Sequence, residues 1–564
     1  MSQSTPLREF VRYSALSSCG MIAVSCYILA DTFFVAQGLG TAGLAALNLA
    51  IPIYNFIHGT GLMLGMGGAT KYSIHQSRGD PGGASRMFTG MLLLSVLFSI
   101  PFLLLGLFCS HGITVLLGAD QAVFEMTRTY LQVLLLFAPA TLVNDVLLCF
   151  VRNDGDPRLS MLATAAGSLA NIVLDYIFIF PMGMGIFGAV LATGMSPVLG
   201  ILILLPHCIR KKGDLRLVPG PLSPGPTASA LSLGLPSLLA QLSSAVVMIA
   251  FNSIILGLEG NTGVAAYGVI ANISLVVTAV YTGISQGIQP LVSTAHGQDR
   301  PGLIRQYLRY ALITLLVLSA ALYLLLFLFA GPVALIFNSE GDPRLQQIAE
   351  EGLRLYFTGA LFAGFNIILS MYFTSVERAL PAHITSLLRG FLLILPMAFL
   401  LAACWGMTGV WLAFPLTEAV TAALGAGFYA LYARRAGHGR KNREKRPLVF
   451  TSCKETGPDM DAMSGPVLSY STFSREGSSI SASSSSWAMS WALAAAYWSI
   501  SSSFRYSSTE RNRSSTWSVS LCRSRAWSQK LLSCQFRYTP PVTWAARSQS
   551  PLSLMAWACS SRET

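Results

Sequence analysis

The stretch GTAGLAAL at 40–47 returns as GNTGVAAY at 260–267, an offset of 220. The same offset sets Asp80-Pro81-Gly82 on Arg300-Pro301-Gly302, and an offset of 221 sets GIFGAVLA (185–192) on GMTGVWLA (406–413). Near-constant spacing over this length predicts two equivalent halves. Between and around these motifs run apolar segments longer than 18 residues, the length a helix needs to cross roughly 30 Å of hydrocarbon. The 564 residues are 53% hydrophobic and 11% charged, with mean hydropathy +0.57. Soluble domains carry about twice that charged fraction. The fold class expected is therefore all-α and membrane-spanning.

Apolar runs and their polar breaks predict twelve spans. Those of the first half are 14–38, 49–73, 88–110, 128–150, 160–181 and 185–209. Those of the second are 229–257, 264–290, 308–331, 351–375, 382–403 and 408–433. Domain boundaries follow: a first lobe 1–209, a charged and Pro/Gly-rich cytoplasmic linker 210–228, a second lobe 229–436 and a tail 437–564. Six spans per half bring both halves into the membrane from the same side, so the repeat is parallel, with its axis along the membrane normal.

Charge placement orients the chain. Arg8, Arg12, Arg78, Arg86, Arg152, Arg158, Lys211, Lys212, Arg300, Arg305 and Arg378 fall on the side of the N-terminus, against Arg128, Arg344 and Arg354 on the other. By the positive-inside rule both termini are cytoplasmic. The net charge of +12 thus reads as membrane orientation and calls for no nucleic-acid partner. The N-terminal MSQSTPLREFVRYSAL has no small-residue cleavage site after a short apolar region, so the first apolar segment is expected to stay as a span. Six of the ten cysteines, among them Cys19, Cys26, Cys149 and Cys404, lie in or beside apolar runs without CxxC spacing. They are expected to be buried thiols and to form neither a disulfide framework nor a metal site.

The quoted residues resemble a family. DTFFVAQGLGTAGLAALNLAIP (31–52), RNDGDPRLSMLATAAGSLANIVLDYIFIF (152–180), QGIQPLVSTAHGQ (286–298) and WGMTGVWLAFPLTE (405–418) look like signatures of bacterial MATE (multidrug and toxic compound extrusion) transporters, in order, over residues 8–435. The resemblance implies two V-shaped lobes and export of small, cationic, amphipathic drugs in exchange for inward H⁺ or Na⁺. It implies a bacterial inner-membrane location. No cofactor is expected, lipid is the surrounding partner, and the protein is expected to act as a monomer.

Ionisable groups inside a bilayer are costly and mark function by default. Asp31 lies in the outer part of the first span, Asp175 in that of the fifth with Asn171 one turn before it, and Thr193 at similar depth in the sixth. This is the geometry of one cluster. Such a pair can share a proton or chelate Na⁺ with the Asn and Thr oxygens. The resemblance matches these four to a polar network in the first lobe of prokaryotic MATE proteins. It also puts one version of the family mechanism out of reach, because no proline lies between Pro6 and Pro52 to bend the first span. The repeat places Phe251 and Pro396 where the first half has Asp31 and Asp175. A second-half cation site would therefore rest on Glu418, helped by Gln241, Asn252 or Asn272. Glu418 faces a substrate cleft on one reading and a packing partner on the other.

Blander roles are expected elsewhere. Asp145, Arg152, Asp154 and Asp156 read as local salt bridges at the cytoplasmic rim, and His58 as a satisfied core histidine. Gly65, Gly67, Gly68, Gly283 and Gly287 permit close helix approach. Tyr27, Phe33, Phe34, Tyr54, Met63, Met66, Tyr281 and Tyr372 together suit a promiscuous cavity wall, with helical packing or lipid contact the default for each taken singly. A lipid-linked oligosaccharide flippase of similar architecture is disfavoured, because no Arg or Lys is read at mid-membrane to hold a pyrophosphate. A membrane enzyme or receptor lacks motifs such as HExxH, and a channel lacks a filter-like ring. Seven of the nine Trp fall at 487 or beyond, in a Ser-rich tail without core periodicity. That tail reads as disordered, or as sequence out of frame, or as a lipid-binding appendage with WAMSWALAAAYWSI (487–500) as a short interfacial helix.

Overall fold

The computed structural model describes residues 5–209, 215–218, 223–338 and 341–444, the last ten by backbone alone. Arg210, Lys211, Lys212, most of the linker and the tail beyond 444 lie outside the described residues. Among the described residues twelve spans are present. The helix Pro6–Ser77 breaks at Gly40 into spans 1 and 2. Pro81–Phe108 is span 3. Phe124–Leu136 and Ala138–Asn153, bent by 49°, make span 4. Pro157–Ile179 and Gly185–Ile209 are spans 5 and 6. In the second half Pro224–Gly297 breaks at Gly260 into spans 7 and 8. Pro301–Leu328 is span 9 and Pro343–Ser375 is span 10. Ala379–Leu387 continues through a π-turn, Leu388–Leu392, into Ile394–Glu444, which breaks at Gly406 to give spans 11 and 12. Short helices Ser110–Leu116 and Ala330–Phe337 occupy equivalent places between spans 3 and 4 and between spans 9 and 10.

Three span pairs need no polar loop between them. The connections expected at 39–48 and 258–263, ten and six residues long, shrink to single glycines. Gly40 has φ 65° and ψ −158°, Gly260 φ 63° and ψ −152°, Gly406 φ 58° and ψ −134°. That region of backbone space is open essentially to glycine alone and costs other residues about 1–3 kcal/mol. A Cβ at Gly40 would meet nothing within 4 Å, so the constraint there is conformational. Gly40→Ala is expected to lower stability by about 1–3 kcal/mol. The control Gly257→Ala, helical and with equally open space, should be neutral or slightly stabilising; thermal unfolding of the purified variants checks both.

Other breaks carry caps. Asp80 accepts from the Gly83 N–H at 2.8 Å, a bond that holds its carboxyl below the usual carboxylate range, and Pro81 opens span 3. Asp156 and Pro157 repeat the device for span 5, with Leu159 N–H at 3.1 Å.

The two lobes meet along the N-terminal side (the N-side) of spans 1, 2, 7 and 8. A Cβ on Gly67 would fall 1.9 Å from the Ala230 carbonyl, and one on Gly287 2.6 Å from Ser14 Cα. Gly67 and Gly287 are repeat-related, so the same glycine contact is made twice about the pseudo-two-fold axis. Polar groups cross there too: Arg152 Nη1 donates to Gln286 at 2.5 Å, Asn153 Nδ2 to Gln289 at 2.8 Å, and Gln289 Nε2 to Thr70 at 2.9 Å. Glu377, between spans 10 and 11, binds Lys71 of the first lobe and His296 of the second. The His296 and Lys71 bonds hold its carboxyl at about 2. A depressed carboxylate stabilises above its ordinary value and loses that contribution only as pH falls through about 2. This contact therefore stays intact from neutrality to well below pH 4.

The rim expectation needs correcting. Asp145 and Arg152 form no local pair. Asp145 binds His58, Arg152 reaches across to the second lobe, and Asp154 is shared by Tyr72 at 2.5 Å and His207 at 2.9 Å. Helix rotation turns each group to a different neighbour. Of the cysteines, Cys149 is buried, whereas Cys19, Cys26, Cys109 and Cys404 are exposed on the protein surface. Their apolar sequence context is that of the outer faces of spans. The last helix runs to Glu444, beyond the end expected at 433.

Candidate functional site

Spans 1, 5 and 6 bring Asp31, Asn171, Asp175 and Thr193 into the interior of the first lobe, all buried. Asn171 and Asp175, four apart, share one helix face. With its amide oriented to satisfy both neighbours, Asn171 donates to Asp175 Oδ2 at 3.1 Å and accepts from Thr193 N–H at 3.2 Å. Asp31 lies within electrostatic range of Asp175. One oxygen of each carboxylate, Asp31 Oδ1 and Asp175 Oδ1, is buried without a hydrogen-bond partner. Buried polar atoms are nearly always bonded, so these two oxygens are acceptors open to a partner the protein itself does not supply. A proton or a small hard cation fits that donor set.

Sequence reasoning missed Tyr130 of span 4, whose ring is buried and whose hydroxyl bonds Thr193 in the field of Asp31 and Asp175. Its start-of-helix position gave no hint of that depth. Of the eight aromatic and Met residues weighed for a cavity wall, Tyr27 and Tyr54 line one together, and their hydroxyls meet at 2.7 Å.

The second lobe is built differently at the matching place. Phe251 stacks on Tyr267 with centroids 5.6 Å apart, and Tyr267 on Trp411 at 6.3 Å. Aromatic packing fills the volume that the carboxylates occupy in the first lobe.

Glu418 is 3% exposed. Its Oε1 accepts from Arg389 Nε at 3.0 Å and Nη2 at 2.7 Å, and its Oε2 from Asn366 Nδ2 at 2.7 Å. It is a paired carboxylate. The expectation that no Arg lies at mid-membrane is therefore wrong: Arg389 sits in the π-turn of span 11. The signal was present, since a lone Arg in an apolar span demands a partner and Glu418 is the acid available in the next span. Of the proposed helpers, Gln241 is half-buried against Gly59 of span 2, and Asn272 is half-buried. Among the described residues the side chains hydrogen-bonded to Glu418 are those of Arg389 and Asn366. Among the described residues no group of three or more His, Cys, Asp or Glu is placed to hold a metal ion.

Two parallel six-span lobes packed about a central axis, each with buried polar groups in its interior, define a membrane transporter. The chain belongs to the MatE family, whose model matches residues 17–177 and 236–400, one segment in each lobe. It is 23% identical over 422 residues to the multidrug export protein MepA of Staphylococcus saprophyticus, covering 74% of this chain and 92% of that one. It is 26% identical over 430 residues to an FAD transporter of Shewanella oneidensis, with the same coverage. A solved outward-facing multidrug resistance MATE transporter superposes with TM-score 0.71 at 26% identity, over 78% of this chain and 98% of that one. The expected family and twelve-span fold are borne out.

Proposed function

We propose that this chain exports small cationic amphipathic compounds from a bacterial cell in exchange for inward H⁺ or Na⁺. The observation that carries the coupling is the pair of partnerless oxygens on Asp31 and Asp175. One proton or one Na⁺ held between the carboxylates leaves the pair with a single negative charge and gives both oxygens a partner. The substrate path lies between the lobes, and the coupling ion lies within the first.

Orientation enters as part of the proposal, with the N-side cytoplasmic. The three arginines on the far side are locally paired, Arg128 with Glu125, Arg344 with Glu259 and Arg354 with Glu350. Their charge is offset there, which strengthens the basic bias of the N-side. With that orientation the Gly67 and Gly287 contacts close the cytoplasmic side, as an outward-facing state requires. The S. saprophyticus relative supports drug export. An FAD transporter among the relatives raises an anionic substrate, but Arg389 is neutralised by Glu418 and offers no free cation to hold one.

Everted vesicles containing the protein test this with ethidium under separately imposed pH and Na⁺ gradients. Ethidium movement that follows one gradient is the expected result. Movement indifferent to both, or FAD moved in its place, refutes the proposal.

A further inference from the structure

The coupling pair leaves His58 and Asp145 unused, although Asp145 is buried and His58 half-buried in the same lobe as the carboxylates. His58 Nδ1 lies 2.8 Å from Asp145 Oδ2, with the two side chains 24% and 5% exposed. A stepped arrangement connects this pair to Asp31. Asp31 and Tyr27 are four apart on span 1, so they share a face. The Tyr27 and Tyr54 hydroxyls meet at 2.7 Å. Tyr54 and His58 are four apart on span 2, with rings stacked at 6.0 Å and 15°. Span 1 leaves the N-side and span 2 returns to it, so each four-residue step descends about 6 Å toward the N-side.

A second observation ties the ends together. One cavity of about 90 Å³ is lined by Thr193 of the carboxylate network and also by Tyr27, Tyr54, His58, Asn144 and Asp145. A single water needs roughly 15 Å³ of such space, so the cavity has room for several. Asn144 Oδ1 is buried beside it without a partner, a polar atom placed for water to satisfy. Cys149, one turn beyond Asp145 on span 4, lies with its sulfur 3.4 Å from that of Met66.

We propose that His58 and Asp145 form a second proton-holding station, which takes the proton released by the Asp31–Asp175 pair and passes it toward the N-side. The inference rests on reading that pair as the coupling site, and it selects H⁺ over Na⁺. Hydroxyls and an imidazole hand on protons, whereas they offer Na⁺ no carboxylate cage along the way. In the transfer an aspartic acid O–H gives its proton to a tyrosine or water oxygen, which releases its own in turn. His58 Nε2 takes up the last one. Nδ1–H remains donated to the Asp145 carboxylate, which fixes the tautomer and stabilises the imidazolium. One proton moves, and no other bond is made or broken.

The charged and titratable surroundings are few. Span 1 contributes Tyr27 and Asp31, span 2 Tyr54, and span 4 Tyr130, Asp145 and Cys149. The polar side chains that spans 5 and 6 bring to the cavity are Thr164, Ser168, Thr193 and Ser196, and span 7 brings Gln241 against Gly59. Arg152, two turns below Asp145, is bonded to Gln286. No Lys or Arg lines the cavity, so nothing there repels an incoming proton.

The test uses the full chain in proteoliposomes holding a pH-sensitive dye, with ethidium as the probe. Variants are His58→Gln, Asp145→Asn and Tyr54→Phe, with Asp175→Asn as reference; ethidium binding in detergent confirms that each is folded. His58→Gln and Asp145→Asn are expected to bind ethidium as the wild type does, yet to slow ethidium-driven H⁺ flux by at least about tenfold. Their pH–rate profile should lose one limb that the wild type shows. Tyr54→Phe keeps the ring and loses the hydroxyl, so slowed flux there supports the relay even if a His58 variant fails to fold. Wild-type flux and profile in His58→Gln and Tyr54→Phe, with Asp175→Asn dead, overturn the relay and leave the coupling site standing. Unchanged H⁺ flux in Asp175→Asn overturns the coupling reading, and the relay with it. Flux driven by Na⁺ alone refutes the relay directly.

Discussion

Arg389→Met is expected to destabilise the protein by about 3–5 kcal/mol, because removing one partner strands a buried charge. Glu418 is 3% exposed and its Oε1 has two donors, both from Arg389. After the substitution Asn366 Nδ2 would be its one remaining side-chain donor. Replacing both members, as Arg389→Met with Glu418→Leu, is expected to recover most of the loss. Buried pairs exchanged for apolar residues of similar volume are often neutral or stabilising by about 1–4 kcal/mol. Thermal unfolding of the two single variants and the double variant reads the cycle. Ethidium export by the double variant settles the use of Glu418. Retained export makes the pair a device that fixes the packing of spans 11 and 12, as its complete pairing suggests. Export lost from a stable double variant would make it part of the transport path.

The lobes and their repeat were legible because the rules behind them are local. A span needs a run of apolar residues, and a repeat needs only aligned motifs. What failed was local too, at the turns. A break expected to need about ten residues is made by Gly40 alone, because a glycine at φ 65° reverses the chain without exposing a polar loop. The carboxylate cluster was legible for a different reason. Intramembrane acids are rare enough that matching depths on spans 1, 5 and 6 leave few arrangements, and Asn171, Asp175 and Thr193 do meet. Partner choice was not legible. Whether Asp145 faces Arg152 or His58, and whether Arg152 stays in its lobe or crosses to Gln286, depends on helix rotation and on how the lobes close. Spacing along the chain fixes neither. Arg389 was passed over inside an apolar run, although its charge required an acid nearby.

Asp31→Asn and Asp175→Asn are each expected to reduce gradient-driven ethidium export on the order of 100-fold, with ethidium binding retained. Asn is nearly isosteric with Asp and keeps a carbonyl acceptor. The substitutions therefore leave the volume of the cluster and most of its hydrogen bonds in place, and remove the charge that an ion must neutralise. The two losses should not add. If the carboxylates hold one ion between them, removing either abolishes the exchange, and the double variant is no worse than each single one, as for groups that act as a unit. Independent sites would multiply their effects, and a double variant falling well below both singles would show two separate ion-binding steps. Asn171→Ala supplies the graded comparison. It removes the donor 3.1 Å from Asp175 Oδ2 while leaving both charges, so export should fall by less than in either Asp variant. A variant at Asn171 as inactive as Asp175→Asn would place the amide among the ion's own ligands, which a Na⁺ site requires and a shared proton does not.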